Sequence, residues 1–248
     1  MLRLRLCATV LLAILLTWTL QGCLFTRVLE TRTQLCDEQP PQVIVTRRSG
    51  GGVRVVFEKP TLTERDVVWI VGHEPTEVAG ANQVRMLSYE AIALDRPFDH
   101  ATSLVVLLSF TRLEGEYRLS EVEIPEKLNS ILSPSLIDAA VRVVCKTRIG
   151  VVPPRTTFDL TSVDRATLPT RDALKQVLGT PTALVARSNE LSYRYCLAPC
   201  AAEASMVASL IFVFGHNGDL RHADATYFRY SVVVDLTSSR PIATVELR

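Results

Sequence analysis

The sequence predicts an α+β fold of two tandem repeats, each a short helix packed on a small antiparallel sheet. Helix-capping signals alternate along the chain with runs of β-branched residues that end in glycine turns. The first half also recurs in the second half at an offset of about 106 residues. Consecutive prolines, Pro153 and Pro154, mark an extended spacer between the halves. We therefore expect repeat domains at 41–152 and 153–248, preceded by a tether at 23–40.

Three stretches carry the internal repeat, and they occur in the same order in both halves. Each pair combines similar residue types with a nearly constant spacing, and collinear order of this kind indicates a duplication. The shared features are a short capped helix, the sequence Leu-Ser-Tyr and an apolar strand before a glycine turn. The paired stretches are 62–76 with 168–182, 87–89 with 191–193, and 103–108 with 209–214.

The first half begins with a predicted hairpin at 42–58, where β-branched residues flank a glycine-rich turn. These glycines do not form a phosphate-binding loop, because no Gly-Lys-Ser/Thr follows and they join two strands. A helix of about two turns follows. Thr63 is its predicted N-cap, Asp66 completes a capping-box arrangement, and Gly72 ends it. The charges at its start are therefore expected to stabilise the helix end.

The rest of the chain, from residue 104 on, contains similar signals for strands and helices. The sequence predicts a hairpin at 104–124 and a strand at 155–160, and between them a helix at 125–140 that is broken at Pro134. Thr170 is the predicted N-cap of a second short helix, which Gly179 ends. The later predicted strands are a hairpin at 210–228, around an Asn-Gly turn, and strands at 230–236 and 243–247.

The N-terminal segment is typical of a bacterial lipoprotein signal. Arg3 and Arg5 give a basic start, residues 6–20 carry no charge, and the run Leu-Gln-Gly-Cys ends at Cys23. We expect signal-peptide cleavage after residue 22 and acylation of Cys23, which tethers the chain to a bilayer. An uncleaved anchor is the alternative, but a membrane-spanning helix needs about 20 apolar residues. The non-acidic Leu24 favours the outer membrane, facing the periplasm.

The charge of the chain argues against a nucleic-acid partner. Removal of residues 1–22 takes away two of the 27 basic side chains and none of the 26 acidic ones, which leaves a net charge of −1. Binding to phosphate needs clustered Lys and Arg, whereas here the two signs are interspersed.

The second half carries a family resemblance. Residues 171–181 form a helix signal that ends in Leu-Gly-x-Pro, a Tyr-containing strand follows at 193–195, and an apolar strand at 211–214 precedes a Gly-Asp turn. This series resembles the SmpA/OmlA (BamE-like) small lipoproteins. The tandem arrangement looks like the two-repeat β-lactamase inhibitor protein fold. Membership would imply a role in envelope assembly or protein binding, without catalysis.

Four cysteines remain once Cys7 leaves with the signal and Cys23 is acylated. An even number in an oxidising compartment favours disulfides, and four cysteines permit three pairings. The sequence favours Cys196 with Cys200 across a short loop, and Cys36 with Cys145. The alternative is a zinc site, because the spacing of the Cys pair and of the His pair lies near the permitted range. Its ligands would be Cys196, Cys200, His216 and His222.

Two classes of function remain. The first is a lipid-anchored envelope module that binds another protein, with no cofactor and no catalytic residue, since no nucleophile elbow or His-Glu-x-x-His motif occurs. The second is an enzyme or small-ligand binder with a site between the two repeats. Four aromatic residues would favour the first class if they lay partly exposed together, although filling the core is their ordinary role. They are Trp69, Tyr227, Phe228 and Tyr230.

Overall fold

The computed structural model describes residues 24–36, 42–47, 52–94, 103–146, 155–185, 189–200 and 207–247. Thirteen strands within these ranges join one antiparallel sheet, accompanied by four α-helices and two short 3-10 helices at Glu126–Ser130 and Arg165–Thr167. The helices are α1 (24–36), α2 (Glu64–Val71), α3 (Pro134–Lys146) and α4 (Arg171–Leu178). The strands are β1 (Val43–Arg47), β2 (Val53–Phe57), β3 (Glu77–Ala81), β4 (Val84–Ala93), β5 (Leu104–Leu113), β6 (Glu116–Ile124), β7 (Arg155–Asp159), β8 (Ala183–Val185), β9 (Glu190–Leu197), β10 (Val207–Phe214), β11 (Leu220–Tyr227), β12 (Tyr230–Asp235) and β13 (Ile242–Leu247).

The predicted fold class is wrong, because the strands do not form two small sheets. They form one sheet in the order β1-β2-β6-β5-β4-β9-β10-β11-β12-β13-β7, with β3 added on β4 and β8 on β9. The seam between the halves is the antiparallel pair β4 and β9, in which Ala91 lies opposite Leu197 and Ala93 opposite Tyr195. Each half alone would leave the backbone groups of this edge unpaired, so joining the edges satisfies them.

The element order nevertheless recurs along the chain. Helix α2 precedes β3, β4, β5 and β6, and helix α4 precedes β8, β9, β10 and β11. The predicted hairpins at 42–58, 104–124 and 210–228 are present as β1–β2, β5–β6 and β10–β11. Pro153 and Pro154, at the predicted domain junction, lie outside the described residues.

The sheet is strongly curved. The path from β1 to β7 contains ten strand-to-strand steps, which would make a flat sheet about 48 Å wide. Helix α3 has 13 residues and is therefore about 20 Å long. Because α3 lies against both β1 and β7, the two ends of the sheet must curve round towards the same helix.

The core lies on one face of this curved sheet. In one cluster Val67 of α2 packs on Leu87 and Tyr89 of β4, and in the other Leu174 of α4 packs near Tyr193 of β9. Odd-numbered residues of β4 and β9 share a face, since Ala93 lies opposite Tyr195 and side chains alternate along a strand. Both α2 and α4 therefore cover the same face.

Helix α2 begins where its capping residues predict. The hydroxyl of Thr63 accepts a hydrogen bond from the backbone N–H of Asp66 at 3.2 Å, and the Asp66 carboxylate accepts one from the Thr63 N–H at 2.8 Å. This reciprocal pair satisfies two amides that a helix start leaves open. Gly72 ends the helix in the left-handed conformation, with φ 70°.

Residues 24–36, which the sequence analysis assigns to the tether, form helix α1 and are bonded to the rest of the fold. Arg27 donates two hydrogen bonds of 2.6 Å to the carboxylate of Asp66. A disulfide joins Cys36 to Cys145 of α3, with a Cα–Cα distance of 5.2 Å. None of the helices in the described ranges is both long and apolar enough to cross a membrane.

The Asp66→Asn variant tests this attachment. Although burial acts in the opposite direction, the bonds from Arg27 and Thr63 lower the pKa of the Asp66 carboxyl. We expect the variant to lose about 2 kcal/mol of unfolding free energy at neutral pH, because hydrogen bonds to a charged group are lost. Because the pKa of Asp66 is lower in the folded state than in the unfolded state, where it is about 3.9, the carboxylate stabilises the fold at pH values above about 3.9. This stabilisation is lost as the pH falls through the folded-state pKa. The two proteins should therefore converge in acid, as measured by urea unfolding across pH.

The matched control is Asp172→Asn, at an exposed position in the first turn of α4. It removes the same charge from an equivalent helix start and should cost only about 0.5 kcal/mol. A loss in Asp66→Asn that persists undiminished in acid would contradict the charge-based explanation.

Candidate protein-binding surface

The four aromatic residues singled out in the sequence lie on two elements that are far apart along the chain. Trp69 lies on α2 and is 47% exposed. Tyr227 ends β11 and Tyr230 begins β12, and the two are paired across the hairpin. Phe228 and Arg229 form the two-residue turn between them, and Phe228 has a positive φ of 52°. We call Trp69, Tyr227, Phe228, Arg229 and Tyr230 the aromatic surface.

Arg229 connects the two elements. Its guanidinium carbon lies 3.7 Å from the centre of the Trp69 ring and 4.6 Å from that of Phe228. The Nη2 atom also donates a hydrogen bond of 2.7 Å to the backbone oxygen of Trp69. This oxygen belongs to the last turn of α2, where carbonyls lack partners within the helix and a cation is favourable. Arg229 therefore acts as a C-terminal cap for α2 and stacks on both rings.

Close backbone approach allows this contact. A Cβ atom placed on Gly72 would lie 2.4 Å from two carbons of the Phe228 ring. The glycine therefore leaves room for the hairpin turn to rest against the end of α2. The sequence singled out Gly72 only as a helix terminator and did not single out Arg229. The sequence signal that could have identified Arg229 is its position between two aromatic residues, Phe228 and Tyr230, in a short turn.

Two tyrosine hydroxyls in this region are buried. Tyr89 of β4 is 6% exposed, and neither its hydroxyl nor that of Tyr227 has a hydrogen-bond partner among the described residues. Burial raises the pKa of Tyr89 to about 12, and the carboxylates of Glu74 and Glu64 act in the same direction. Burial also raises the pKa of both Tyr227 and Tyr230. These hydroxyls therefore remain protonated near neutral pH, and those of Tyr89 and Tyr227 are buried, out of reach of an incoming group.

The expected disulfide bonding is confirmed, because the structure contains two cysteine pairs at bonding distance. They are Cys36 with Cys145 and Cys196 with Cys200, the two pairs that the sequence favours. Cys23, the predicted lipid attachment site, lies outside the described residues, as does the predicted signal at 1–22.

The alternative zinc site would need Cys196 and Cys200 as thiolate ligands, but these two cysteines are joined in the second disulfide. The two histidines of that site are placed in the β10–β11 turn, at His216, and within β11, at His222. Over the ranges that the structure describes, no group of three or more His, Cys, Asp or Glu side chains is arranged to hold a metal ion.

A small cavity lies at the seam between the halves, where the small-ligand alternative would place a site. Its volume is about 100 Å³, and a second cavity near the 3-10 helix at Arg165–Thr167 has about 190 Å³. Pockets that enclose a small molecule usually measure about 300–1,000 Å³. The seam cavity is lined by Ala93, Thr180, Pro181, Thr182, Tyr193, Arg194 and Tyr195.

Comparison with family models, with curated proteins and with solved structures gives no match to this chain. We therefore describe the class of this protein from its own fold and surface. It is a disulfide-bonded α+β protein with one curved antiparallel sheet, helices on one face and an aromatic–arginine surface where α2 meets the β11–β12 turn. The SmpA/OmlA resemblance stays a prediction.

Proposed function

We propose that this chain is a lipid-anchored bacterial envelope protein that binds another envelope protein through its aromatic surface, as a non-catalytic assembly module. Acylation at Cys23 holds it on the outer membrane, where it faces the periplasm. This role agrees with what the SmpA/OmlA resemblance implies. The small volume of the cavity at the seam also makes a small ligand an unfavourable occupant of that place in the described fold.

The observation that carries the proposal is the stack of Trp69 on Arg229. Trp and Arg are among the residues most enriched in protein interfaces and in the few positions that dominate binding energy. Here both are held in a fixed arrangement, and Trp69 presents nearly half of its surface to solvent. A rigid aromatic side chain loses little conformational entropy on binding, so this exposed ring is suited to bury against a partner.

Three further features support the envelope location. The basic and apolar N-terminal segment ends at Cys23, as lipoprotein signals do. Two disulfides suit an oxidising compartment. The described part of helix α1 includes Leu24, the residue after Cys23, and the helix is bonded to α2 and α3, so the lipid would hold the folded body close to the bilayer.

The Trp69→Ala variant should weaken capture of the partner about 30-fold, which corresponds to the loss of about 2 kcal/mol at a dominant interface position. The measurement places a photo-crosslinking amino acid at Phe228 in intact cells and quantifies the adduct with an envelope protein, with and without Trp69→Ala. We expect one defined adduct with wild-type Trp69, and its near disappearance in the variant.

Ile242 provides the control position, because it is a similarly accessible apolar residue on β13, away from the β11–β12 turn. A crosslinker at Ile242 should give no such adduct, and Ile242→Ala should leave the adduct formed at Phe228 unchanged. If the positions 228 and 242 give the same adducts, or if neither gives one, the proposed binding surface is wrong.

A further inference from the structure

The cation of Arg229 lacks a counter-charge within the described fold. Its contacts are the rings of Trp69 and Phe228 and the backbone oxygen of Trp69, and no described carboxylate bonds to it. Its Nε atom is buried and has no hydrogen-bond partner in the described part of the chain. Burying part of a cation without a paired acid has a cost, which an incoming anion would relieve.

Three other arginines of the described fold are instead paired with acids. Arg27 is paired with Asp66 at 2.6 Å, and Arg85 of β4 with Glu64 of α2 at 3.2 Å. Arg221, on the same strand as Tyr227, is paired with Asp219 at 2.9 Å. Arg229 therefore differs from these arginines, because aromatic rings take the place of a carboxylate around it.

We propose that the binding partner presents a carboxylate to Arg229, from an Asp or Glu side chain set beside an apolar residue that packs on Trp69. This inference rests on the proposed function and specifies the partner's chemistry. The two rings hold the guanidinium in a fixed plane, and a planar fork of N–H donors matches a carboxylate. Because the rings exclude water from part of the cation, a bond to a carboxylate here is stronger than one formed at an open surface.

The site offers an aromatic wall and a cation held against it, and the complementary ligand is an acidic and apolar peptide segment. The hydroxyls of Tyr89 and Tyr227 are buried in the described fold, so the proposed contact does not involve them.

The test selects peptides from a random phage-displayed library on the purified mature chain, with both disulfides formed. Binding of each selected peptide is followed by the fluorescence of Trp69, which is the only tryptophan after residue 22. We expect the peptides to share an acidic residue next to an apolar one. They should bind Arg229→Gln about tenfold or more weakly, because Gln can still donate to the Trp69 oxygen but carries no charge.

Two further variants separate charge from structure. Arg229→Lys keeps the charge and should retain the preference for acidic peptides, with lower affinity because the planar fork is lost. Arg65→Gln removes an equal charge from an exposed position of α2 and should bind the peptides like the wild type. Unfolding of each variant in urea verifies that the fold is retained.

Several outcomes would overturn the inference. Peptides that change Trp69 fluorescence but share no acidic residue would leave the proposed function standing and refute the carboxylate partner. Arg229-dependent binding to phosphatidylglycerol vesicles, with no peptide selected, would instead assign the cation to a lipid phosphate. If no peptide is selected and the crosslinker at Phe228 also gives no adduct in cells, the inference and the proposed function fail together.

Discussion

Replacing both Cys36 and Cys145 by alanine should lower the free energy of unfolding by about 4–5 kcal/mol. The bond joins residues 109 positions apart, and the chain-entropy treatment assigns about 4.7 kcal/mol to a closed loop of 100 residues. It also fixes the end of α1 to α3, which lies against both ends of the sheet. Urea unfolding of the double variant, compared with the oxidised wild type, measures the loss.

The second disulfide provides the control. Cys196 and Cys200 are only four positions apart, so the same treatment gives about 2 kcal/mol for their removal. We therefore expect the variant without Cys36 and Cys145 to lose roughly twice as much as the variant without Cys196 and Cys200. Equal losses would contradict loop closure as the source of the stability and would point to local packing at each bond.

Local features of this fold could be predicted from the sequence because local chemistry determines them. Thr63 and Thr170 each accept a hydrogen bond from the backbone three residues on, so α2 and α4 begin where the caps predict. The helix predicted at 125–140 with a break at Pro134 is instead a 3-10 helix at Glu126–Ser130 followed by α3, which Pro134 begins because the first helical position needs no backbone N–H donor. The hairpins follow from alternating apolar residues on either side of glycine-containing turns.

The single sheet could not be predicted in the same way. The seam rests on three residue pairs, which join positions 91–93 to 195–197. Each strand of this seam already satisfies the pattern of a half-buried strand in a smaller sheet, so its sequence carries no signal for a partner about 100 positions away. Pairing of open edges is a tertiary event that only the assembled fold reveals.

Helix α1 shows a different reason for a missed element. Leu24, Val28 and Leu35 follow a helical spacing, but charged and hydroxyl residues between them gave the segment a polar composition. Its attachment depends on Arg27 meeting Asp66, a contact between residues 39 positions apart. Composition alone therefore described a tether where the structure has a docked helix.

The candidate site was predicted in part. Trp69, Tyr227 and Phe228 were singled out as large aromatic residues, and the structure places Arg229 over the rings of Trp69 and Phe228, with Tyr227 beside Phe228. That Arg229 would bond to Trp69, 160 positions away, has no local signal. Its role depends on the assembled fold, in which the β11–β12 turn lies against the end of α2.

The Gly72→Ala variant should lose about 2–4 kcal/mol of unfolding free energy, the combined cost of a left-handed backbone and an overpacked contact. Gly72 has φ 70°, and the added Cβ would lie 2.4 Å from carbons of the Phe228 ring. The ring must therefore move, and the Arg229 stack should open with it. Urea unfolding measures the stability, and the fluorescence of Trp69 reports whether the stack is retained.

The Gly115→Ala variant separates the cost of a left-handed backbone from the cost of the overpacked contact. Gly115 also has a positive φ, of 88°, but no atom lies within 4 Å of an added Cβ, so Gly115→Ala should lose only about 1 kcal/mol. Phe228→Ala removes the clashing ring, so adding Gly72→Ala to it should also cost only about 1 kcal/mol. If Gly72→Ala costs as much without the Phe228 ring as with it, backbone strain alone explains the loss. The aromatic surface would then not depend on close approach between α2 and the hairpin turn.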